Sequence, residues 1–207
     1  FELNEAANDG VEDEATLERN RYILGNIASN DQWNYTLGLS YKHFADKSFQ
    51  QVVVSRNHLN NLATKYFNND ESDPENLILD YSSQEIENKV RLEHTWRDKG
   101  WKWNVGLGYE NATYTNDTYN KIVTTYGNVL EIDFNSKLNL NKYSVFSQLS
   151  KSFIKNRLTV SAGIRTDFSD YNTEMVNPLD QLSPRLSASF SLSPKWSINM
   201  SAGRFYQ

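Results

Sequence analysis

The chain has 207 residues, no cysteine and a net charge of −5, from 21 Lys and Arg against 26 Asp and Glu. The lack of thiols excludes disulfide staples and thiolate metal sites, and the acidic balance argues against a nucleic-acid partner, which would want a basic face. Apolar residues are 38% and aromatic residues 13%, and no run nears the roughly 18 apolar residues of a membrane-spanning helix.

Phe1 opens no charged-then-apolar leader, so no export signal is visible and the chain reads as an interior piece of a longer one. The acidic run Glu12-Asp13-Glu14 reads as solvated loop, as does Asp70-Glu71. Residues 19–29, RNRYILGNIAS, read as a strand with imperfect alternation, closed by a short turn at Ser29-Asn30-Asp31. WNYTLGLSYKHF then sets Tyr35, Leu37, Leu39 and Tyr41 against Thr36, Gly38, Ser40 and Lys42. A period of two is the mark of a strand with one apolar and one polar face.

A long polar excursion is expected over 45–76. Within it Leu59, Leu62, Ala63, Tyr66 and Phe67 have helical spacing and predict a short helix pinned to a sheet rim. KVRLEHTWRD sets Val90, Leu92 and Trp96 against Arg91, Glu93 and Thr95. After a turn at Asp98-Lys99-Gly100, WKWNVGLGYEN sets Trp101, Trp103, Val105, Leu107 and Tyr109 against Lys102, Asn104, Gly106, Gly108 and Glu110. A second excursion is expected over 112–140. A less regular strand covers 142–153, KYSVFSQLSKSF, and a turn follows at Lys155-Asn156. RLTVSAGIRTDFSDY alternates Leu158, Val160, Ala162, Ile164 and Phe168 with Thr159, Ser161, Gly163, Arg165 and Asp167. A third excursion spans 170–182. PRLSASFSLSP and WSINMSAGR, joined by Ser193-Pro194-Lys195, complete the series.

A soluble β-sandwich alternates too. Three features favour a membrane barrel instead. The polar parity is rich in Gly and Ser with charges of both signs, which suits a crowded polar interior better than an open sheet face. Glu87 to Arg97 and Trp101 to Asn111 have about the 9–11 residues needed to cross a bilayer on a tilt. Short and long connections alternate, and Trp33, Trp101, Trp103 and Trp196 follow short turns, with Trp96 before one, as half of an interfacial girdle. The fold expected is all-β: an antiparallel up-and-down transmembrane β-barrel segment, about eight strands of a larger barrel, with a short helix in one long loop.

That reading assigns faces. Leu37, Leu39, Val90, Leu92, Val105, Leu107, Val160, Ile164, Leu186, Phe190, Ile198 and Met200 would face lipid. Lys42, Arg91, Glu93, Glu110, Arg165, Asp167 and Arg185 would face the lumen, paired with one another or lining a substrate path. Tyr114, Tyr119, Tyr126 and Tyr171 are candidate ligand contacts on loops, because Tyr offers area and a hydrogen bond at low entropic cost. His43, His58 and His94 share no metal-ligand spacing, and the strand glycines form no phosphate loop. No catalytic set, metal site or cofactor is expected.

LSPRLSASFSLSPKWSINMSAGRFYQ, together with YSVFSQLSKSFIKNRLTVSAGIRTDFSDYN, resembles the barrel of TonB-dependent outer-membrane receptors, and the chain is similar in texture to those of Bacteroidetes-type bacteria. The resemblance implies a barrel of about 22 strands around an N-terminal plug. Residues 1–207 would then be one partial barrel domain, with the plug and the remaining strands absent. It also implies TonB-dependent uptake of a scarce nutrient (ferric siderophore, cobalamin, or glycan or peptide breakdown product) across the Gram-negative outer membrane. Partners would be outer-membrane lipid, the nutrient, and the TonB energy-transducing complex through the absent plug. A soluble or surface-attached β-sheet carbohydrate-binding module and a passive porin remain the alternatives.

Overall fold

The computed structural model describes residues 9–124 and 127–206. Among them are one α-helix, α1 (Glu14–Asn26), two short 3-10 turns (Phe67–Asn69 and Pro74–Asn76) and eight strands. The strands are β1 (Ser29–Ala45), β2 (Ser48–Tyr66), β3 (Leu77–Asp98), β4 (Trp101–Val123), β5 (Val129–Phe153), β6 (Leu158–Ser169), β7 (Ser183–Ser193) and β8 (Trp196–Gly203). They form one sheet in the order β1-β2-β3-β4-β5-β6-β7-β8, each paired with its sequence neighbour. This is the up-and-down antiparallel arrangement that the alternation and tight turns predict.

The turns explain the pairing. Lys99 (φ 46°) and Gly100 (φ 80°) are both left-handed, the geometry that matches a two-residue hairpin to the twist of its strands. Ile154, Lys155 and Asn156 are also left-handed, and Arg157 N–H closes that turn on the Ile154 carbonyl at 3.1 Å. The β1–β2 turn at Asp46-Lys47 contains neither glycine nor a left-handed residue.

Four local expectations are corrected. Residues 29–31 are the start of β1, not a turn, so Trp33 stands at the end of β1 remote from its hairpin. Residues 19–26 belong to helix α1. The Asp13 side chain caps it by accepting from Thr16 N–H at 3.0 Å, so the acidic run there is a helix start rather than a loop. The proposed helix around Leu59–Phe67 is strand up to Tyr66, where Gln84 Nε2 of β3 donates to Asn60 Oδ1 at 3.3 Å. Pairing with β3 overrides the helical spacing. The excursions over 45–76 and 112–140 are mostly strand: the first holds β2, 19 residues long, and the second extends β4 and β5 to 23 and 25 residues. The 170–182 connection is a loop, as expected. Asp70 is a loop residue, accepting from Ser72 N–H at 3.0 Å and from Asn76 Nδ2 at 3.2 Å.

The chain divides into two compact units. The larger is Thr36–Asn57, Ile86–Thr113 and Asn139–Gln207, and the smaller is Phe1–Tyr35, His58–Glu85 and Tyr114–Leu138. In the smaller, Asn69 Nδ2 donates to the Leu24 carbonyl at 3.2 Å and holds the first 3-10 turn against α1. Buried apolar residues are few among those described: Ala63, Ala112 and Leu140. The sheet exposes its large side chains, with Leu39 at 74% and Met200 at 70%.

Candidate functional site

The printed registers of β5 to β8 sort side chains by face, because residues directly opposite each other in an antiparallel pair point the same way. Val160 lies opposite Lys151 and Ala188, Ala162 opposite Leu149 and Leu186, and Phe190 opposite Leu158 and Ile198. On the other face Ser161 lies opposite Ser150 and Ser187, Gly163 opposite Gln148 and Arg185, and Asp167 opposite Ser144. One face is mainly apolar across four strands, interrupted by Ser147, Lys151 and Thr166; the other carries mostly hydroxyls, amides and charge. The apolar face has an aromatic row near one end, Tyr109 to Tyr143 at 5.3 Å and Tyr143 to Phe168 at 5.2 Å. Trp101 and Trp103 stand near the β3–β4 turn, with Lys151 Nζ over Trp101 at 4.6 Å.

On the polar face of the larger unit the charges pair. Glu110 accepts from Lys142 Nζ at 2.7 Å and faces Lys89 Nζ at 3.4 Å, and Lys89 also meets Glu87 at 2.8 Å. Arg91 pairs with Glu93 at 3.2 Å, and Arg165 with Asp167 through two bonds of 2.6 Å. Four cations thus meet four carboxylates. In a water-exposed setting each pair contributes about 0–1 kcal/mol, so their effect here is neutralisation of the face rather than stability.

Glycines let these groups crowd. A Cβ on Gly106 would lie 2.3 Å from the Phe146 ring, and one on Gly108 would lie 2.3 Å from Ser144 Oγ. Gly108 and Ser144 help line a cavity of about 640 Å³, whose other lining residues include Arg91, Glu110, Arg165 and Asp167. Tyr171 and Met175 of the 170–182 loop also line it. That loop is tied down: Ser169 N–H donates to the Met175 carbonyl at 2.9 Å, and Asp170 accepts from Asn141 N–H at 2.7 Å and Asn141 Nδ2 at 2.6 Å. These bonds hold the Asp170 carboxyl below its ordinary range, the backbone N–H being the main cause. A second cavity, about 460 Å³, is lined by Glu93, Phe146, Gly163, Arg165 and Arg185, with the Arg185 guanidinium 4.8 Å over Phe205.

The structure therefore gathers Arg91, Glu110, Arg165, Asp167 and Tyr171 at one cavity and Glu93, Arg165 and Arg185 at the other. Lys42 is exposed on β1, outside both. Tyr114 and Tyr119 are strand residues of β4 rather than loop residues. Desolvation, then the facing Glu131, raises the Tyr119 phenol above its usual value. Tyr126 lies outside the described residues. Lys89, Glu87 and Lys142 join the network although sequence reading passed over them; their odd-even position beside Arg91 and Ser144 was the available signal. His58 packs edge-on to Trp33 at 4.8 Å and to Tyr35 at 5.5 Å. No His, Cys, Asp and Glu group suited to a metal occurs among the described residues.

A family model described as TonB dependent receptor-like, beta-barrel matches residues 3–207. Similar solved structures include the copper transporter OprC, at 18% identity over 88% of this chain and 32% of that one, with a TM-score of 0.62. The pyoverdine outer membrane receptor FpvA from Pseudomonas aeruginosa PAO1 is 14% identical over 84% of this chain and 29% of its own, with a TM-score of 0.57. The RagAB peptide transporter is 12% identical over 87% and 23%, with a TM-score of 0.54. No curated protein matches by sequence. The chain spans about a third or less of the length of these solved chains, and at such identities the likeness shows the fold.

Proposed function

The chain belongs to the TonB-dependent receptor β-barrel family, and from that membership we propose that it forms part of the wall of an outer-membrane receptor that imports a scarce nutrient under TonB control. The proteins it resembles in fold are described as transporters and receptors rather than enzymes. The proposal places the apolar face, from Leu37 and Leu39 through Val105, Leu107, Val160 and Ile164 to Ile198 and Met200, against lipid. The polar face would meet the lumen, with its paired charges beside the plug and the nutrient path.

One observation carries this reading: across β5 to β8 the registers separate a mainly apolar face from one of hydroxyls, amides and charge. Its height agrees. Tyr143 and Phe153 are ten residues apart on β5, which at about 3.3 Å each and a tilt of roughly 40° spans about 25 Å, the height of a barrel's apolar band. Tyr143 with Tyr109 and Phe168 would form the outer aromatic girdle, and Trp101 and Trp103 part of the inner one.

The test is uptake by the intact receptor in its own cells. Accumulation of ferric siderophores, cobalamin, and glycan and peptide fragments is compared with and without TonB. Import of one class that stops without TonB is the expected result. Import unaffected by TonB would identify a passive porin, and an intact protein that stays dispersed without detergent would point to a binding module.

A further inference from the structure

β5 is longer than its partner on one side. Its register with β6 runs from Lys142 to Phe153, leaving Val129 to Leu138 with no neighbour on that edge among the described residues. In an antiparallel sheet successive residues aim their N–H and C=O groups at opposite edges. Ser152 N–H bonds the Gly100 carbonyl just before β4, whereas the Asn141 carbonyl accepts from Asp170 N–H just past the end of β6. Odd-numbered residues of β5 thus address the free edge, so Glu131, Asp133, Asn135 and Lys137 present main-chain groups there.

The edge is also undefended. Natural edges are blunted by Pro, bulges, covering segments or lysines. Residues 129–138 contain no proline, and their one lysine is Lys137 near the end. Leu130, Ile132, Phe134 and Leu138 alternate along one face and are 52%, 40%, 54% and 41% exposed. The opposite face carries Glu131 and Asp133, and Glu131 already takes a hydrogen bond from Tyr119 of β4. Apolar side chains at every second position, two carboxylates between them and a free main-chain ladder are the elements of recognition by strand addition.

We infer that the free edge of β5 over residues 129–138 docks an extended polypeptide strand whose alternate residues are apolar and whose intervening residues are basic. Main-chain bonds to the odd residues supply affinity; Leu130, Ile132 and Phe134 set the apolar register; Glu131 and Asp133 select basic side chains. A second copy in the same membrane is a poorer occupant. Two identical edges in an antiparallel sheet are related by a twofold axis normal to the sheet, which would turn one receptor upside down.

The test uses the full-length receptor in detergent and a fluorescein-labelled peptide of about nine residues alternating valine and lysine, long enough to span the edge. Fluorescence anisotropy should show saturable binding, weakened at least about tenfold in Asn135→Pro and changed less than about twofold in Asn135→Ala. Asn135→Pro removes a donor only on the free side, leaving the β4 ladder intact. Phe134→Ser is the second variant, expected to weaken binding by roughly tenfold without touching the main chain. An alternating valine–glutamate peptide should bind at least about tenfold more weakly. Absence of saturable binding, binding undiminished in both variants, or a receptor dimer abolished by Asn135→Pro would each overturn the inference.

Discussion

Ile164 lies opposite Ser147 and Pro184, whereas Ser161 lies opposite Ser150 and Ser187, so two residues of one strand address different surroundings. If the first face meets lipid, Ile164→Arg and Leu107→Arg should each cost about 2–4 kcal/mol near the bilayer midplane. Ser161→Arg and Ser189→Arg, on the polar face, should be tolerated much better. Refolding of the intact barrel into lipid vesicles measures all four, and equal costs on both faces would refute the assignment. Asp170 makes a pH prediction at the same scale. Its folded pKa is depressed below the 3.8 of a free carboxyl, so its bonds to Asn141 contribute stability above that value and lose it as pH falls through the lower, folded one. Protection of the Asn141 amide from hydrogen exchange, taken relative to its intrinsic rate at each pH, should therefore hold steady from neutral pH down to the ordinary carboxylate range and fall only below it. Loosening already at pH 5 or 6 would count against this clasp.

Along β5 the apolar residues change sides. Leu130, Ile132, Phe134, Leu138 and Leu140 are even-numbered, whereas Tyr143, Val145, Leu149 and Phe153 are odd-numbered. The strand does not slip between the two sets. Thr113 bonds Asn139 and Glu110 pairs with Lys142 while Tyr109 meets Tyr143, one constant register with β4. Just where the sides change, Tyr109 Oη and Asn111 Nδ2 both donate to Asn141 Oδ1, at 2.8 and 3.1 Å, so the formerly apolar parity turns to amides. On the proposed membrane reading a change of solvent at that level would account for this, with lipid against one parity below it and water against the same parity above. The chain has no cysteine, so single labels report cleanly. A fluorophore at Val145→Cys or Leu149→Cys should be quenched by a lipid-soluble quencher, and one at Leu130→Cys or Phe134→Cys should not. Equal quenching of all four would remove the boundary from this place.

For the molecule as a whole, the apolar face is large and the described residues do not cover it. Leu37, Leu39, Leu186 and Ile198 are all at least half exposed, and α1 is short and polar enough to shield little of it. A soluble monomer seldom shows more than a few hundred Å² of contiguous apolar surface. The 207-residue segment by itself should accordingly aggregate, stack sheet on sheet, or require detergent. Sedimentation in detergent-free buffer decides the matter, a concentration-independent monomer of 23.9 kDa being the outcome that favours a soluble binding module.

How much of this was legible depends on how far apart the deciding groups lie. Two-residue alternation is set by one strand's own neighbours in sequence, so the all-β class, the parity of β6 to β8, the tight turn at Lys99-Gly100 and the loop at 170–182 could all be read directly. So could the cavity charges Arg91, Glu110, Arg165 and Asp167, since the polar parity carries them. The Asp46-Lys47 turn carries no signal in its residues, because nothing in it demands a left-handed backbone, and Ser-Asn-Asp at the start of β1 is good turn chemistry although it is strand. Helix α1 had its cap in Asp13, yet Tyr22, Ile23, Leu24 and Ile27 suggested a strand. Only tertiary structure decided that residues 112–123 and 129–140 are strand: each is polar enough for a loop, and it is extended because a partner across the hairpin satisfies its main chain. The same holds for Leu59 to Tyr66, whose helical spacing loses to pairing with β3, and for the meeting of Lys89, Glu110 and Lys142, which three separate strands must bring together.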